Sequence, residues 1–389
     1  MTTKTVSKNI ITVPAMLGML GGGQLGRFFV IAAHELGYQV TVLDPDKNSP
    51  AGKIADVHIC ANFDDAAALK KMSDTCQAIT TEFENVPAKT LEMLALTTTV
   101  RPSANCVAIA QHRVLEKNFI KEIGLPVAPF AVINSANDLP NDASELYPAI
   151  LKVARFGYDG KGQARVKNLA EALNAFNAFK QETCVLEKMM PLDLEVSVVL
   201  ARDAEGQIAS FTTSENSHLN GILDISIAPA RCSEVIKANA QALAKKLAEK
   251  LDYVGVIGVE FFVVGGQLLV NEIAPRPHNS GHYTIDACVT NQFEQQVRVL
   301  AGLPLGNPDM HSNAVMVNIL GDSWFAREKN NALEPAWILA CSHANLKLHL
   351  YGKHEPRIAR KMGHFTVIDN DAKKAHNVAL IARGELNIG

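Results

Sequence analysis

Residues 151–163 read LKVARFGYDGKGQ; a short apolar run, at 149–151, leads into them, and Ala-Arg-Val, at 164–166, follows. This pattern predicts two strands joined by a glycine-rich turn, whose backbone N–H groups can approach an anion closely. Lys152, near the end of the first strand, can reach the same anion as a mobile point charge. The spacing is not that of a Walker loop, and the next helix signal comes only near Asn168. We therefore predict a lid over phosphates, with a plain tight turn as the alternative.

A second hairpin is predicted at 256–272, VIGVEFFVVGGQLLVNE, with its turn at the glycine pair 265–266. Glu260 and Glu272 are 12 residues apart. A three-residue loop would place these carboxylates opposite each other, whereas a two-residue loop would place Asn271 opposite Glu260. Facing carboxylates repel each other, and a divalent cation neutralises them. Oxygen ligands favour magnesium, bridging to nucleotide phosphates.

The segment that follows this hairpin, 273–282, reads IAPRPHNSGH and is rich in polar side chains. Arg276 is suited to gripping a small carboxylate or phosphate with two hydrogen bonds. We expect His278 to titrate near neutrality. Because these side chains lie directly beside a predicted metal site, a functional role is favoured over a structural loop.

The N-terminal region predicts a strand at 13–20 and then a helix, with Gly21, Gly23 and Gly26 in G-x-G-x-x-G spacing between them. Asp44 follows a second strand, 18 residues beyond the last glycine. This fingerprint supports an alternative function as a nicotinamide or flavin enzyme. By itself it is weak evidence, because a glycine turn that enters a helix can hold any phosphate, including that of a ribonucleotide.

Strands and helices go on alternating and predict an open parallel sheet. Glu82 and Glu84 follow a strand at the end where such sheets bind ligands. For Glu84 a solvated turn is the favoured interpretation. A single helix is predicted at 105–124, carrying Arg113, and the first domain boundary is placed near residue 115.

Further polar positions follow the glycine-rich hairpin. Residues 183–191 predict a strand that leaves into a linker, where the backbone can pair with an adenine edge, and Glu195 can accept ribose hydroxyls. His218 lies in a predicted polar turn, 217–221, where a lone histidine is usually structural. A basic patch at 357–364 is normally a solvated face, but here it can close a pocket over a phosphate.

Length and composition predict a soluble globular protein of two or three domains. The chain has 389 residues, 48% of them hydrophobic and 20% charged. A net charge of −3 argues against general binding to nucleic acid or to an anionic membrane and leaves a local basic pocket open. The seven scattered cysteines predict reduced core thiols. The polar first nine residues and the lack of a long apolar run predict a cytoplasmic protein.

The order and spacing of these features resemble the ATP-grasp superfamily, in which two α+β lobes enclose ATP and magnesium. The features are Lys152, the glycine loop, Glu187, Glu195, Glu260 and Glu272. From about residue 14 to residue 385 the chain resembles the N5-carboxyaminoimidazole ribonucleotide synthetases, the ATPase subunits of phosphoribosylaminoimidazole carboxylase. The most specific matches are 156–163 and 271–282.

The resemblance implies a mixed α/β and α+β fold. Its parts are an open parallel-sheet, Rossmann-like pre-ATP-grasp domain, a two-lobed ATP-grasp core and a small β-rich C-terminal domain. The implied segments are a disordered tail (1–12), the ribonucleotide-binding domain (13–115), the ATP-grasp domain (116–304, with lobes at about 116–190 and 191–304) and a C-terminal domain that closes the substrate site (305–389).

The resemblance also implies an ATP-dependent carbon–nitrogen ligase of purine biosynthesis. ATP phosphorylates bicarbonate, and the carboxyphosphate or CO2 released from it carboxylates the amine of 5-aminoimidazole ribonucleotide. The implied assembly is a homodimer. Two alternatives stay open: a nicotinamide-dependent oxidoreductase that uses the glycine fingerprint, and a nucleotide sensor without turnover. Among enzymes of this fold, a formate- or biotin-dependent relative is the one most easily mistaken for this family.

Site residues are carried over by matched position. The ATP-binding residues are Arg113, Lys152, Gly157, Tyr158, Asp159, Gly160, Lys161, Gly162, Gln163, Glu187, Lys188, Met189, Met190, Glu195, His218, Asn271 and Glu272. The magnesium ligands are Glu260 and Glu272. The catalytic residues are Lys152, Tyr158, Asp159, Arg276 and His278, the last two binding bicarbonate and carboxyphosphate. The ribonucleotide-binding residues are Gln24, Glu82, Arg276, Lys353, Arg360 and Lys361.

Overall fold

The computed structural model describes residues 10–155, 157, 161–328 and 331–388. Of the predicted disordered tail, residues 1–9 lie outside the described residues. The prediction is wrong for Ile11, whose backbone N–H donates to the Ala301 carbonyl at 2.9 Å and whose carbonyl accepts the Tyr38 hydroxyl at 2.7 Å.

The N-terminal part forms the predicted open parallel sheet, in the order β3-β2-β1-β4-β5. Its strands are β1 (Met16–Leu20), β2 (Gln39–Leu43), β3 (Val57–Ile59), β4 (Ala78–Thr81) and β5 (Thr99–Val100). Its helices are α1 (Gln24–Glu35), α2 (Ala66–Thr75), α3 (Ala88–Ala95), α4 (Ala104–Ala110) and α5 (Arg113–Glu122). All paired strands here are parallel, so each connection has to cross the sheet, and helices supply most of these crossings.

The single helix predicted at 105–124 is wrong, because α4 and α5 are separate helices. The chain breaks at Gln111 and His112, and His112 has the extended backbone of a helix N-cap. The Gln111 side chain is buried and donates to the carbonyls of Glu84 and Val86. No glycine or proline marks the break, so a tertiary contact decides it and the sequence does not show it.

A small antiparallel sheet follows, in the order β6-β9-β7-β8. Its elements are β6 (Phe130–Ile133), β7 (Ala149–Val153), β8 (Gln163–Val166), α6 (Leu169–Ala178) and β9 (Cys184–Lys188), with a 3₁₀ turn at Ala136–Asp138. The predicted glycine-rich hairpin is confirmed by the antiparallel pairing of β7 with β8. The Asn168 side chain accepts the Glu171 N–H and caps α6, as its sequence pattern predicts.

The third sheet follows the path β15-β14-β10-β12-β13-β16-β18-β17, with β11 paired to β10. It begins with β10 (Leu194–Arg202), β11 (Ile208–Ser210), β12 (Ser214–Leu219), β13 (Ile222–Ala228), α7 (Glu234–Lys250), β14 (Gly255–Val264), β15 (Gln267–Ala274), a 3₁₀ turn (Asn279–Gly281), α8 (Thr284–Ala287) and α9 (Gln292–Ala301). The prediction of a turn at 217–221 is wrong for its first three residues, because β12 continues through His218 to Leu219. The chain turns at Asn220 and Gly221, both of which have positive φ.

The C-terminal strands extend this sheet, because β16 pairs with β13. The elements are β16 (Asn313–Leu320), a 3₁₀ turn (Gly321–Trp324), α10 (Trp337–Cys341), β17 (Leu346–Leu350), β18 (Lys361–Asp369) and α11 (Ala372–Glu385). The predicted basic patch at 357–364 is therefore only partly a loop. From Lys361 onward it is strand β18, and His364 within it is fully buried.

The N-terminal sheet packs against the later parts of the chain. Phe293 and Val297 of α9 and Tyr351, after β17, lie in the same hydrophobic core as Leu17 and Phe29. This contact brings the carboxyl ends of β1 and β4 next to the segment that follows β15. Residues far apart in sequence thereby meet in one region.

Candidate active site

The predicted pair of facing carboxylates is present on the β14–β15 hairpin, where Glu260 lies opposite Glu272. Of the two loop lengths that the sequence leaves open, the structure has the shorter. Val264 pairs with Gln267, so the turn at Gly265–Gly266 has two residues, and both glycines have the positive φ that such a turn requires. With this turn alone, the ladder would not align the two acids.

A register shift between Glu260 and Phe261 restores the alignment. Phe261 pairs with Val270 and Glu260 with Glu272, so Asn271 is an extra residue, a β-bulge. The side-chain oxygen of Asn271 is buried and has no hydrogen-bond partner in the part of the chain that the structure describes. The bulge thus aligns two carboxylates and leaves an amide oxygen beside them in the chain without a partner.

The charges around this pair differ on its two sides. Burial and the charge of Glu272 raise the pKa of Glu260. Burial also acts to raise the pKa of Glu272, but Arg113 and Lys152 outweigh it, and the pKa lies below its usual value. Arg113 donates to Glu272 at 3.3 Å. One carboxyl group therefore favours its protonated form, and a cation bound there would displace that proton.

The oxygen donors fit magnesium, which takes few protein carboxylates and keeps several waters. Among the described residues there is no cluster of three or more histidine, cysteine, aspartate or glutamate side chains suited to a metal. The carboxylates predicted to hold a cation at this hairpin are Glu260 and Glu272. The metal-binding role of this pair stays a prediction.

A buried ionic triad lies at the base of the glycine-rich hairpin. Lys152 donates to Glu187 at 2.9 Å, and Lys117 contacts the other oxygen of the same carboxylate. Burial acts to raise the pKa of Glu187, but the two ammonium groups lower it to about 2. The sequence analysis missed Lys117. Its position four residues after Arg113, on the same face of α5, is the pattern that would have indicated it.

The described part of the hairpin tip is in contact with α5. Arg113 donates to the Gly157 carbonyl at 3.3 Å. Gly162 has φ of 68°, and a Cβ there would lie 2.5 Å from the Val153 side chain, so only glycine fits. The predictions for residues 158–160 lie outside the described residues. The part that is described links the hairpin to the guanidinium that holds Glu272.

The predicted adenine strap is fixed at the end of β9. The N–H of Lys188 donates to the Pro129 carbonyl and that of Met189 to the Pro148 carbonyl, both at 2.9 Å. Met189 is 40% exposed and Met190 is half-buried. The strap is tied to two neighbouring segments, and its binding of adenine stays a prediction.

Glu195 and His218 form an ion pair across the paired strands β10 and β12, with 2.9 Å between Oε2 and Nδ1. Burial acts to lower the pKa of His218, but the hydrogen bond to Glu195 and the charge of Glu260 raise it to about 9. His218 is therefore protonated at neutral pH and adds a cation on the side of the acid pair opposite Arg113. The nucleotide-binding role of this histidine stays a prediction.

Arg276 pairs with Glu84, which corrects the prediction of a solvated turn at Glu84. The Arg276 Nε donates to the Glu84 carboxylate at 2.7 Å, across 192 residues of sequence. Burial acts to raise the pKa of Glu84, but the guanidinium outweighs it and the pKa is lowered. One edge of Arg276 is thus held by the N-terminal domain, which orients the guanidinium plane.

His278 does not titrate near neutrality, and that prediction is wrong. Burial, Arg276 and Lys361 together hold its pKa well below the usual value. The Ser280 N–H donates to His278 Nδ1 at 3.3 Å, so Nε2 carries the proton, and Nε2 lies 3.3 Å from a Glu260 carboxylate oxygen. His278 is therefore a neutral imidazole beside Glu260.

The N–H donors of the glycine fingerprint are already bound by a carboxylate of the protein itself. Glu82 accepts the N–H groups of Gly23 and of Gly26, the latter at 2.6 Å, and it is buried. Asp44 accepts the Gly22 N–H at 2.7 Å. Because both acids satisfy the turn and the N-terminus of α1, the pyrophosphate of a dinucleotide finds its usual donors occupied.

Most of the predicted ribonucleotide residues come together at the N-terminus of α1. Lys353 donates to the Gln24 side chain at 2.8 Å and to the Lys361 carbonyl at 2.7 Å. These contacts join residues 329 positions apart in the sequence. Arg360 is held differently, donating to the Glu355 carbonyl at 2.8 Å. The C-terminal segment therefore reaches the N-terminal sheet directly.

Two fully buried histidines, His282 and His364, predict a loss of stability on acidification. Burial above all, with neighbouring charges, holds the pKa of each well below its usual value. Below about pH 6.5 the unfolded chain binds protons that the folded chain does not. The free energy of unfolding should then fall by up to about 1.4 kcal/mol per pH unit for each histidine. Urea unfolding near pH 8 and near pH 5.5 measures this loss.

Other groups titrate in the same range, so variants are compared with the wild type at each pH. His364→Phe should lose less stability between the two pH values than the wild type, whatever its absolute stability. His311→Phe, at an exposed histidine, is the control and should keep the wild-type pH dependence. Equal losses in all three proteins would contradict the prediction.

Comparison with known proteins agrees with this arrangement. Residues 15–111 match the ribonucleotide synthetase preATP-grasp domain, residues 118–293 the ATP-grasp domain, and residues 314–377 the C-terminal domain of phosphoribosylaminoimidazole carboxylase. N5-carboxyaminoimidazole ribonucleotide synthase from Bacillus subtilis is 43% identical over 364 residues, 93% of each chain. The chain belongs to the N5-carboxyaminoimidazole ribonucleotide synthase family. It is thus an ATP-dependent carbon–nitrogen ligase, and the oxidoreductase alternative is wrong.

Solved structures of N5-carboxyaminoimidazole ribonucleotide synthases have the same fold. The Thermus thermophilus enzyme is 37% identical, with a TM-score of 0.87 over 95% of this chain and 98% of its own. The Aspergillus clavatus enzyme, in complex with ADP and 5-aminoimidazole ribonucleotide, is 31% identical, with a TM-score of 0.86 over 96% and 99%. None of the described helices has the length and apolar character that a membrane span needs.

Proposed function

We propose that this chain carboxylates 5-aminoimidazole ribonucleotide with bicarbonate, using ATP and passing through carboxyphosphate. The products are N5-carboxyaminoimidazole ribonucleotide, ADP and phosphate. The observation that carries the proposal is the facing pair Glu260 and Glu272, with His278 on one side and Arg113 on the other. Arg276 follows this pair in the chain and supplies a cation for an acidic substrate.

The nucleotide would lie between the glycine-rich hairpin and the acid pair. Phosphoryl transfer depends on charge neutralisation and alignment more than on covalent chemistry. Arg113, Lys152 and the loop 157–163 would meet the phosphates. Residues 187–190 would meet the adenine, and Glu195, His218 and Asn271 would complete the nucleotide site. The buried triad with Glu187 sets the direction of Lys152 before the nucleotide arrives.

Glu260 and Glu272 would hold magnesium, with the unpaired side-chain oxygen of Asn271 close to them in the chain. The ion would neutralise charge on the phosphate oxygens. Arg113 limits the repulsion between the two carboxylates from its position on Glu272. His278 lies beside Glu260 without adding a charge.

The proposed reaction proceeds in two steps. A bicarbonate oxygen attacks the γ-phosphorus, and the bond from that phosphorus to the bridging oxygen breaks, so ADP leaves. The ribonucleotide amine attacks the carbon of carboxyphosphate, a C–N bond forms, phosphate departs and the amine loses a proton. Arg276 and His278 are assigned to bicarbonate and carboxyphosphate. Tyr158 and Asp159 are assigned to closure over them, because carboxyphosphate must be kept from water.

The ribonucleotide is assigned to the surface where the C-terminal segment meets the N-terminal sheet. Lys353 donates there to the Gln24 side chain and to the Lys361 carbonyl. Glu82, Arg276 and Arg360 complete the assigned set. We further propose a cytoplasmic homodimer on the basis of family resemblance, and sedimentation of the purified protein would test the dimer.

Isotope transfer tests the proposal. With ¹⁸O-labelled bicarbonate, one ¹⁸O atom should appear in the released phosphate, because the attacking oxygen stays on phosphorus when carboxyphosphate breaks down. ADP release should require ATP, bicarbonate and 5-aminoimidazole ribonucleotide together. Unlabelled phosphate alongside full turnover would overturn the carboxyphosphate route.

Two controls separate the alternatives. ADP formed without the ribonucleotide would contradict the requirement for all three substrates. A failure to form ADP with every substrate present would favour a sensor. Turnover with formate in place of bicarbonate would favour a formate-dependent relative. NAD should neither bind tightly nor compete with ATP, because Glu82 occupies the donors of the glycine turn.

A further inference from the structure

The ammonium of Lys353 is held by groups from both ends of the chain. It donates to Gln24 and to the Lys361 carbonyl, and it lies 5.5 Å from the centroid of the Tyr351 ring. An aromatic face attracts an ammonium group at this distance. The Tyr351 ring therefore forms one side of the site that holds the Lys353 charge.

Tyr351 is fixed in place. Its side chain is fully buried, and its hydroxyl lies 2.9 Å from His364 Nδ1. Its ring packs edge-to-face with that of Phe28 of α1, with 5.9 Å between centroids and an interplanar angle of 88°. The hydroxyl contact holds the tip of the ring, and rotation of the ring about its long axis would disrupt the packing against Phe28.

His364 is in turn held between two other imidazoles. Its ring centroid lies 4.6 Å from that of His282 and 4.7 Å from that of His349, and both pairs are stacked. His349 Nε2 lies 2.8 Å from the Asp286 carboxylate, which anchors the stack to α8. The stack thus joins β17 and β18 to the segment that follows β15.

Burying these imidazoles costs more free energy than burying apolar side chains of similar size would. The Nε2 atoms of His282 and His364 are buried and have no hydrogen-bond partner among the described residues. A phenylalanine at position 364 would bring no unpaired Nε2, but it would leave the buried Tyr351 hydroxyl without His364 Nδ1. A histidine there brings one thing that phenylalanine does not, namely the hydrogen bond to the Tyr351 hydroxyl.

We propose that Tyr351, fixed through its hydroxyl by His364, positions the ammonium of Lys353 for the ribonucleotide. Tyr351 and His364 are positioning residues that do not touch the substrate. This inference rests on the proposed function, in which Lys353 binds 5-aminoimidazole ribonucleotide. It predicts that the pair acts on the affinity for that substrate and leaves the nucleotide site unaffected.

The first test removes the ring. Tyr351→Leu should raise KM for the ribonucleotide by about 2–30-fold, the range that loss of a cation–π contact implies, with KM for ATP changed less than twofold. Tyr283→Phe is the matched control, because Tyr283 is also buried and its hydroxyl donates to the Thr212 carbonyl in another core. Its KM for the ribonucleotide should stay at the wild-type value.

A double-mutant cycle keeps the test decisive if Tyr351→Leu does not fold. Tyr351→Phe and His364→Phe each remove one end of the same hydrogen bond and keep the ring volume. Each should raise KM for the ribonucleotide, and the double variant should raise it no further than either single variant. Additive effects, no effect, or equal rises in KM for ATP would overturn the inference.

Lys353→Ala separates this inference from the proposed function. If Lys353→Ala raises KM for the ribonucleotide while the Tyr351 and His364 variants do not, only the positioning role fails. If Lys353→Ala leaves that KM unchanged, the assignment of Lys353 fails, and the positioning role fails with it.

Discussion

A Lys152→Ala variant is expected to lose about 10²–10³ in kcat/KM for ATP. Lys152 is buried, and its ammonium donates to Glu187 at 2.9 Å, so the fold sets its direction. Removing one preorganised donor to developing charge costs about 2.7–4 kcal/mol of transition-state stabilisation. Steady-state kinetics at varied ATP measures the loss. The fold should survive, because Glu187 keeps its second partner, Lys117.

Lys117→Ala is the matched control, because Lys117 shares the same carboxylate. Its side chain is 2% exposed against 9% for Lys152, so Lys152 is the one more open to a nucleotide. We expect Lys117→Ala to lower Tm more and kcat/KM less than Lys152→Ala does. A loss of tenfold or less in Lys152→Ala, or equal kinetic losses in both variants, would count against the assigned role.

The hairpin of Glu260 and Glu272 shows which features of the site could be predicted from the sequence and which could not. The strands, the glycine turn and the facing acids were predictable, because apolar alternation and a glycine pair are local signals. The bulge at Asn271 was not, since it depends on which backbone groups pair across the ladder. The predicted pairing was confirmed, although the turn has the two residues that by themselves would have placed Asn271 opposite Glu260.

Tertiary contacts account for the other failures. Gln111 breaks a helix by donating to two carbonyls of a distant loop, and nothing in its local sequence shows this. Glu84 was expected in solvent and instead pairs with Arg276 from another domain. His278 was expected to titrate near neutrality, but burial and nearby cations oppose its charge. Charge states depend on packing, which a local pattern does not give.

Glu260→Gln is expected to make the metal-free protein more stable and the enzyme nearly inactive. The raised pKa of Glu260 means that burial and the facing Glu272 oppose its ionised form, so a neutral amide removes an unfavourable charge. The same change removes a magnesium ligand. Loss of the stabilisation that the metal gives to phosphoryl charge should cost several kcal/mol, or about 10²–10⁴ in rate.

Thermal unfolding with and without magnesium and an ATP analogue separates the two effects. The wild type should gain Tm on adding them, and the gain should increase with pH, because the metal displaces the proton of Glu260. Glu260→Gln should start from a higher Tm and gain little. Glu215→Gln is the matched control: Glu215 pairs with Arg231 at 2.6 Å, so its loss should lower Tm and leave the magnesium gain intact. A full magnesium gain in Glu260→Gln would mean that the facing pair does not hold the metal, because an amide cannot replace a carboxylate there without loss of affinity.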